Sequence, residues 1–157
     1  MESVLERLRA YLLLNRVEFR ELEHEETFTS EDSAKARGEP LHIGGKALLM
    51  KVGEDFRLFV IPADRKLDSS AVKKLFGVKK TRFASREELL ELTGLVPGSV
   101  PPFGKPIFDL PLVVDNGIRQ NERIAFNAGS LTTSFVVPMM EYIRFANPTF
   151  EQISKPA

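Results

Sequence analysis

The chain has no cysteine and only two histidines, His24 and His42. The first absence excludes a disulfide framework, a thiolate nucleophile and Cys-ligated zinc, and two histidines far apart in sequence argue against a zinc site and assemble no Ser/His/Asp arrangement with any specificity. Charge of one sign is also missing. Lys+Arg and Asp+Glu stand at 22 each, so no global field attracts a polyanion, and any such partner has to meet a local basic patch. Long apolar runs are lacking as well: nothing approaches the roughly 18 residues of a membrane span. Glu2, Glu6, Arg7 and Arg9 interrupt any signal-peptide core, so a cytoplasmic protein with no membrane partner is expected. Familiar catalytic signatures are absent too, with no Gly-x-Ser-x-Gly, P-loop, His-Glu-x-x-His or Rossmann fingerprint.

What is present fits one domain spanning 1–157, with 43% hydrophobic and 28% charged residues, the balance of an ordinary globular protein. Apolar residues recur at helical spacing from about Glu2 to Leu14, with Ser3 and Glu6 placed as a capping box. A short strand through Val17, Phe19 and Leu22 then delivers His24 to its end. Thr29 or Ser30 suits the N-cap of a helix that stops near Gly38. His42 to Val52 and Phe56 to Ile61 read as a hairpin, the second strand closed by Pro62. Alternation puts Lys46 on the side of Leu48 and Met50, so an ammonium opens an otherwise apolar stripe. An exposed strand lysine and a site lysine both satisfy that pattern.

Further helices are expected from Asp68 or Ser69 to Phe76, from Ser85 to Gly94 with Leu89, Leu90 and Leu92 inward, and after Pro138 with Met139, Met140, Tyr142, Ile143 and Phe145 as the apolar face. Strands are expected at Thr81 to Ala84, Leu110 to Val114, Ile124 to Phe126 and Thr133 to Val137, and the tail from Thr149 carries no strong period. Lys73, Lys74, Lys79 and Lys80 form either a solvated face or a phosphate-holding patch. Six or seven short strands with four or five helices describe an α+β unit, a curved mixed or mostly antiparallel sheet flanked by helices.

The most informative stretch is Thr93-Gly94-Leu95-Val96-Pro97-Gly98-Ser99-Val100-Pro101-Pro102-Phe103-Gly104. Gly admits backbone angles closed to other residues while Pro fixes φ, so the alternation specifies a stiff loop, and its length is uncommon for a plain connector. Together with a strand lysine and a second glycine loop at Asn127 to Ser130, it suits an oxyanion or phosphate held by N–H groups and one ammonium, with water as nucleophile.

Four segments in order carry a resemblance: Gly45 to Lys51, Val60 to Asp68, the loop from Thr93 to Gly104, and Phe126 to Ser130. Together they resemble the YbaK/ProX family of aminoacyl-tRNA deacylases, related to the editing insertion of bacterial prolyl-tRNA synthetases. The resemblance implies a curved, partly closed barrel flanked by helices, and a trans-acting enzyme that hydrolyses the ester of mischarged tRNA at its terminal adenosine without metal or cofactor. It implies Lys46 and Gly98 as catalytic. It also implies Ser99, Val100, Pro101, Pro102, Phe103, Gly104, Asn127, Gly129 and Ser130 as walls of the aminoacyl pocket, with His24 and Thr29 matching an N-terminal region of relatives. The implied partners are the acceptor end of aminoacyl-tRNA and an aminoacyl-tRNA synthetase. Gly44-Gly45 departs from the family where many relatives carry a side chain. The competing readings are a non-catalytic module that binds tRNA ends or a synthetase, and a hydrolase of another small ester or nucleotide.

Overall fold

The structure, a computed structural model, describes residues 2–157. Helix α1 (Val4–Leu14) starts at the predicted capping box, where Ser3 and Glu6 satisfy each other's backbone N–H, and ends on Asn15. Its Leu8 and Leu12 are buried in the main core. β1 (Arg20–Glu23) follows, then α2 (Ser30–Arg37), capped by the Thr29 hydroxyl and closed by Gly38 in the left-handed region. The hairpin is β2 (Gly45–Val52) and β3 (Asp55–Pro62), with Val52 paired to Asp55 across a turn whose Gly53 takes φ 61°. The expected strand start at His42 is instead a 3-10 turn over Leu41–Ile43.

The short strand β4 (Arg65–Leu67) leads to α3 (Ser69–Phe76), β5 (Thr81–Phe83) and α4 (Arg86–Thr93). Past the long loop come β6 (Leu112–Asp115), β7 (Arg123–Asn127), β8 (Thr133–Pro138), α5 (Met139–Ala146), β9 (Thr149–Glu151) and β10 (Ser154–Pro156). The strands form a five-stranded sheet ordered β5-β2-β3-β6-β9, a three-stranded sheet β1-β8-β7 and the pair β10-β4. Pairings β3-β6 and β6-β9 are parallel and the rest antiparallel, so the α+β architecture is mixed. The partly closed barrel is corrected to separate sheets: a single parallel bridge, Gly44 to Ala125, joins the two larger ones.

The hairpin lies between two apolar layers. Leu49, Leu58 and Val60 face α1, β7, β8 and α5, while Met50, Phe59 and Ile61 face Val72 of α3 and Ile153. A strand covered on both faces reads as a continuous apolar run, as Leu58 to Ile61 does. Inward facing is corrected in two helices: Leu90 and Leu92 of α4 are exposed at 55% and 39%, and Met140 of α5 at 83%. Each of these helices is eight residues long and meets the core along one narrow stripe, so the flanking apolar positions turn outward.

The tail is anchored by chemistry that periodicity does not reveal. Asp115, buried at 1% exposure, accepts the Ile153 and Ser154 N–H groups at 2.9 Å each on one carboxylate oxygen and the Gly117 N–H on the other. That seats β9 beside β6 and β10 beside β4.

Candidate functional site

A cavity of about 500 Å³ opens where β2 begins and β3 ends, walled by the start of α2 on one side and the long loop on the other. Close approach of the two larger sheets shapes its floor. A side chain at Gly45 would place Cβ 2.5 Å from Ile124 Cδ1, and one at Gly44 would meet Ala63 Cβ at 3.0 Å. The glycine pair thus lets β2 start against β7. Lys46, the next residue, is exposed at the cavity and makes no ion pair or hydrogen bond among the described residues.

Of the residues named from the sequence, Lys46, Gly98, Val100, Asn127 and Thr29 line this cavity. Gly98 takes φ 87°, which favours glycine, and its carbonyl accepts the Asn127 amide at 2.7 Å. Among the described residues, no acceptor meets the N–H of Gly98 or of Val100. Thr29 caps α2, accepting the Asp32 N–H at 3.0 Å.

The others lie elsewhere. Ser99 is buried, its hydroxyl donating to the Val96 carbonyl and its own carbonyl accepting the Gly129 N–H at 2.9 Å. Pro101 and Pro102 are buried, and the Pro102 carbonyl accepts the Tyr142 hydroxyl at 2.7 Å. Phe103 is in the main core, edge-on to Phe126 and Tyr142 at centroid distances of 5.7 and 5.4 Å. Full burial holds the Tyr142 hydroxyl far above its ordinary pKa, so it remains a donor. Gly104 lines a second cleft, of about 490 Å³, with Arg57 and Phe76. Gly129 (φ 79°) packs on Val4 and Leu5 of α1, and Ser130 binds Thr132. His24 stands behind the wall: its Nε2 is 2.8 Å from the Ser134 hydroxyl and its Nδ1 2.8 Å from the Glu25 carbonyl.

Several wall residues escape sequence reasoning. Arg37, the last residue of α2, is 8% exposed and donates through Nε to Ser134 Oγ at 2.9 Å and through Nη2 to Asn127 Oδ1 at 3.1 Å. Among the described residues no carboxylate pairs with it, and Glu39, whose charge acts on it, is held by Arg20 at 3.0 Å and Arg123 at 2.7 Å. Burial pushes the Arg37 guanidinium down to about 10, with Glu39 offsetting part of the shift. Thr27 and Ser33 bring buried hydroxyls, 2.8 Å apart, and Phe28 presents a ring that is 80% exposed. Arg65 and Lys66 bring the basic side chains of the wall to four, against one acidic side chain, Glu31. The polarity of Thr27 to Ser33 was visible in the sequence, but Arg37 offered no signal, because only the fold buries it. The clustered Lys73, Lys74, Lys79 and Lys80 do not line the cavity.

The arrangement supplies backbone donors, a basic surround and small walls, with no cysteine thiolate and no serine beside a histidine and a carboxylate. Among the described residues, no group of three or more His, Asp or Glu side chains is placed to hold a metal. No helix among them is long and apolar enough to cross a membrane.

Comparison with known proteins adds independent findings. The Multifunctional Ser/Thr-tRNA deacylase ProXp-y of Escherichia coli (strain K12) is 36% identical over 149 residues, covering 91% of this chain and 88% of that protein. A proline–tRNA ligase of Shouchella clausii is 32% identical over 111 residues, which are 71% of this chain and 19% of the ligase. The crystal structure of a candidate trans-editing enzyme for prolyl tRNA synthetase superposes with a TM-score of 0.83 at 23% identity, covering 99% of both chains, and so shares the fold. Residues 24–145 match the aminoacyl-tRNA editing domain. That match takes in β2 with Lys46, the long loop and Asn127, so the chain belongs to the aminoacyl-tRNA editing domain family.

Proposed function

We propose that the chain, acting over 1–157 as one editing domain, hydrolyses the ester between a misattached amino acid and the terminal adenosine of a tRNA. The observation that carries this reading is the juxtaposition, in one cavity, of the Lys46 ammonium with the N–H groups of Gly98 and Val100, none of which has a partner among the described residues. Among the described residues, no hydroxyl of the wall is paired with a histidine or carboxylate base, and an aminoacyl ester, already activated, needs no side-chain nucleophile. Water attacks the carbonyl carbon, the carbonyl electrons move onto oxygen, and the backbone N–H groups stabilise that oxyanion. Collapse breaks the bond to the ribose oxygen, which leaves with a proton and frees the amino acid. The vicinal ribose hydroxyl, or an ordered water, takes the proton from the attacking water and passes a proton to the leaving ribose oxygen, so that none is gained or lost. Replacement of that hydroxyl by hydrogen is therefore expected to slow cleavage, and an undiminished rate would exclude the substrate-assisted route.

Lys46 is suited to the terminal phosphate or ribose as a compact point charge, with Lys66 and Arg65 extending the basic surface toward the acceptor end. The exposed Phe28 ring offers a face for the terminal base. The buried Thr27 and Ser33 hydroxyls give part of the wall a polar character that suits a hydroxylated side chain, in line with the Ser/Thr preference named for the Escherichia coli relative. Cooperation with an aminoacyl-tRNA synthetase is the partner relationship that the ligase relatives suggest.

The test is deacylation of seryl, threonyl, alanyl and cysteinyl esters on mismatched tRNAs by the wild-type protein and by Lys46→Ala. Hydrolysis of a seryl or threonyl ester, reduced about 100-fold or more by the substitution, is the expected result. Binding of tRNA without hydrolysis of any ester would favour a non-catalytic module, and cleavage only of simple esters that tRNA does not compete for would favour another hydrolase.

A further inference from the structure

The hydrogen bonds behind the cavity wall have a defined direction. Asn127 Oδ1 accepts from Arg37 Nη2 at 3.1 Å, and the Ser134 hydroxyl lies 3.2 Å from the same oxygen. The amide nitrogen of Asn127 is thereby turned to the Gly98 carbonyl, 2.7 Å away. The reverse orientation would set an NH₂ against the guanidinium and an oxygen against a carbonyl, replacing two bonds by two repulsions. The next carbonyl along the loop, that of Ser99, is held by the Gly129 N–H. In a trans peptide the C=O and N–H point in opposite directions, so fixing the Ser99 carbonyl on Gly129 directs the unbonded Val100 N–H away from the β7–β8 loop.

We infer that Arg37 is a positioning residue for the proposed hydrolysis: by fixing which way the Asn127 amide faces, it holds the Gly98–Ser99 peptide, whose own N–H is taken by the Val96 carbonyl, and so keeps the free N–H groups of Gly98 and Val100 on either side of it in place at the cavity wall. The inference rests on the deacylase reading for its kinetic consequence, though not for its geometry. The chemistry of the site explains why arginine stands here. Burying a cation against a hydroxyl and an amide, with no carboxylate in contact, is a poor way to gain stability. A planar guanidinium, however, reaches Ser134 and Asn127 at once from one rigid group, which a lysine ammonium on a flexible stem does not reproduce. Lys46 and Arg37 therefore divide the work: the first is free and exposed for substrate, and the second is spent on the wall.

A double-mutant cycle between Arg37→Ala and Asn127→Ala tests this, with kcat and KM for the preferred ester, thermal melting, and backbone amide NMR of Gly98 and Val100. Arg37→Ala is expected to lower kcat about 10- to 100-fold with KM within about threefold, because oxyanion donors act in the transition state. Made on top of Asn127→Ala, it is expected to lower kcat no further. Arg37→Lys is expected not to restore the rate. Asn127→Asp keeps the shape and gains a charge partner in Arg37, yet has no donor for the Gly98 carbonyl. It is expected to fold and still lose kcat, so the idea stays testable if Arg37→Ala does not fold. Fold-losses that multiply across the cycle, or recovery of kcat by Arg37→Lys, would overturn the inference. A wild-type protein inactive on every ester would sink the deacylase reading alone. The amide resonances would then decide: Arg37→Ala and Asn127→Ala must displace the Gly98 and Val100 signals alike, and unmoved or unrelated shifts would overturn the positioning role.

Discussion

From Thr93 to Val100 the long Gly-Pro loop is held by hydrogen bonds, whereas from Pro101 to Gly104 it is held by burial. In the first half, the Thr93 hydroxyl accepts the Leu95 N–H, Ser99 bonds back to Val96, and the carbonyls of Gly98 and Ser99 are taken by Asn127 and Gly129. In the second, Phe103 has no exposed surface, sits edge-on to two other rings, and follows a carbonyl capped by Tyr142. Burial is strong and non-directional, while hydrogen bonds are weaker and aimed. A wall that must present particular N–H groups to a substrate needs both: an anchor that keeps the segment in place and bonds that set its orientation.

That division predicts which readout each substitution moves. Phe103→Ala should cost about 3–5 kcal/mol of stability and lose activity only along with the fold, as chemical denaturation would reveal. A stable but inactive Phe103→Ala protein would instead place the ring at the substrate. Tyr142→Phe leaves the Pro102 carbonyl buried without its donor, for a loss of about 1–3 kcal/mol with kcat nearly unchanged for the folded fraction. Gly98→Ala should show the opposite balance. Its left-handed φ costs a side chain about 1–2 kcal/mol, and the displaced peptide should lower kcat about tenfold or more.

The smallest effect is expected far from the loop, where Arg82 and the Ser85 backbone hold the exposed Glu88 carboxyl down to about 2. A carboxylate with a depressed folded-state pKa stabilises the protein above its ordinary value near 4.5, and this contribution is lost as pH falls toward 2. Glu88→Gln should therefore flatten the melting temperature slightly between pH 5 and pH 2, by what is expected of a solvent-screened pair, and should leave deacylation alone.

The legible parts of this chain were those whose determinants are local. Ser3 with Glu6 and Ser85 with Glu88 form the capping boxes they announce, and Gly38, Gly77 and Gly94 all close helices in the left-handed region. Strands β4, β9 and β10 were not, because each has three residues and exists through partners far along the chain, with β10 on β4 and β9 on β6. In the site, Lys46 was singled out by an alternation that any strand shows. The lysine cluster of α3 and the turn that follows it drew attention by density but lies off the cavity, while Arg65 and Lys66 line it without standing out.

The helices, the hairpin, the stiffness of the loop and the family follow from neighbouring residues alone, since caps, glycine φ values and ordered motifs are local properties. That Phe103 is an anchor and Gly98 a wall, and that Arg37 is buried behind Asn127 while Lys46 is exposed, came from the packing. Those assignments depend on what α2, β7, β8 and α5 bring against the loop, and burial and hydrogen-bond direction are set by contacts between segments that one-dimensional spacing does not encode.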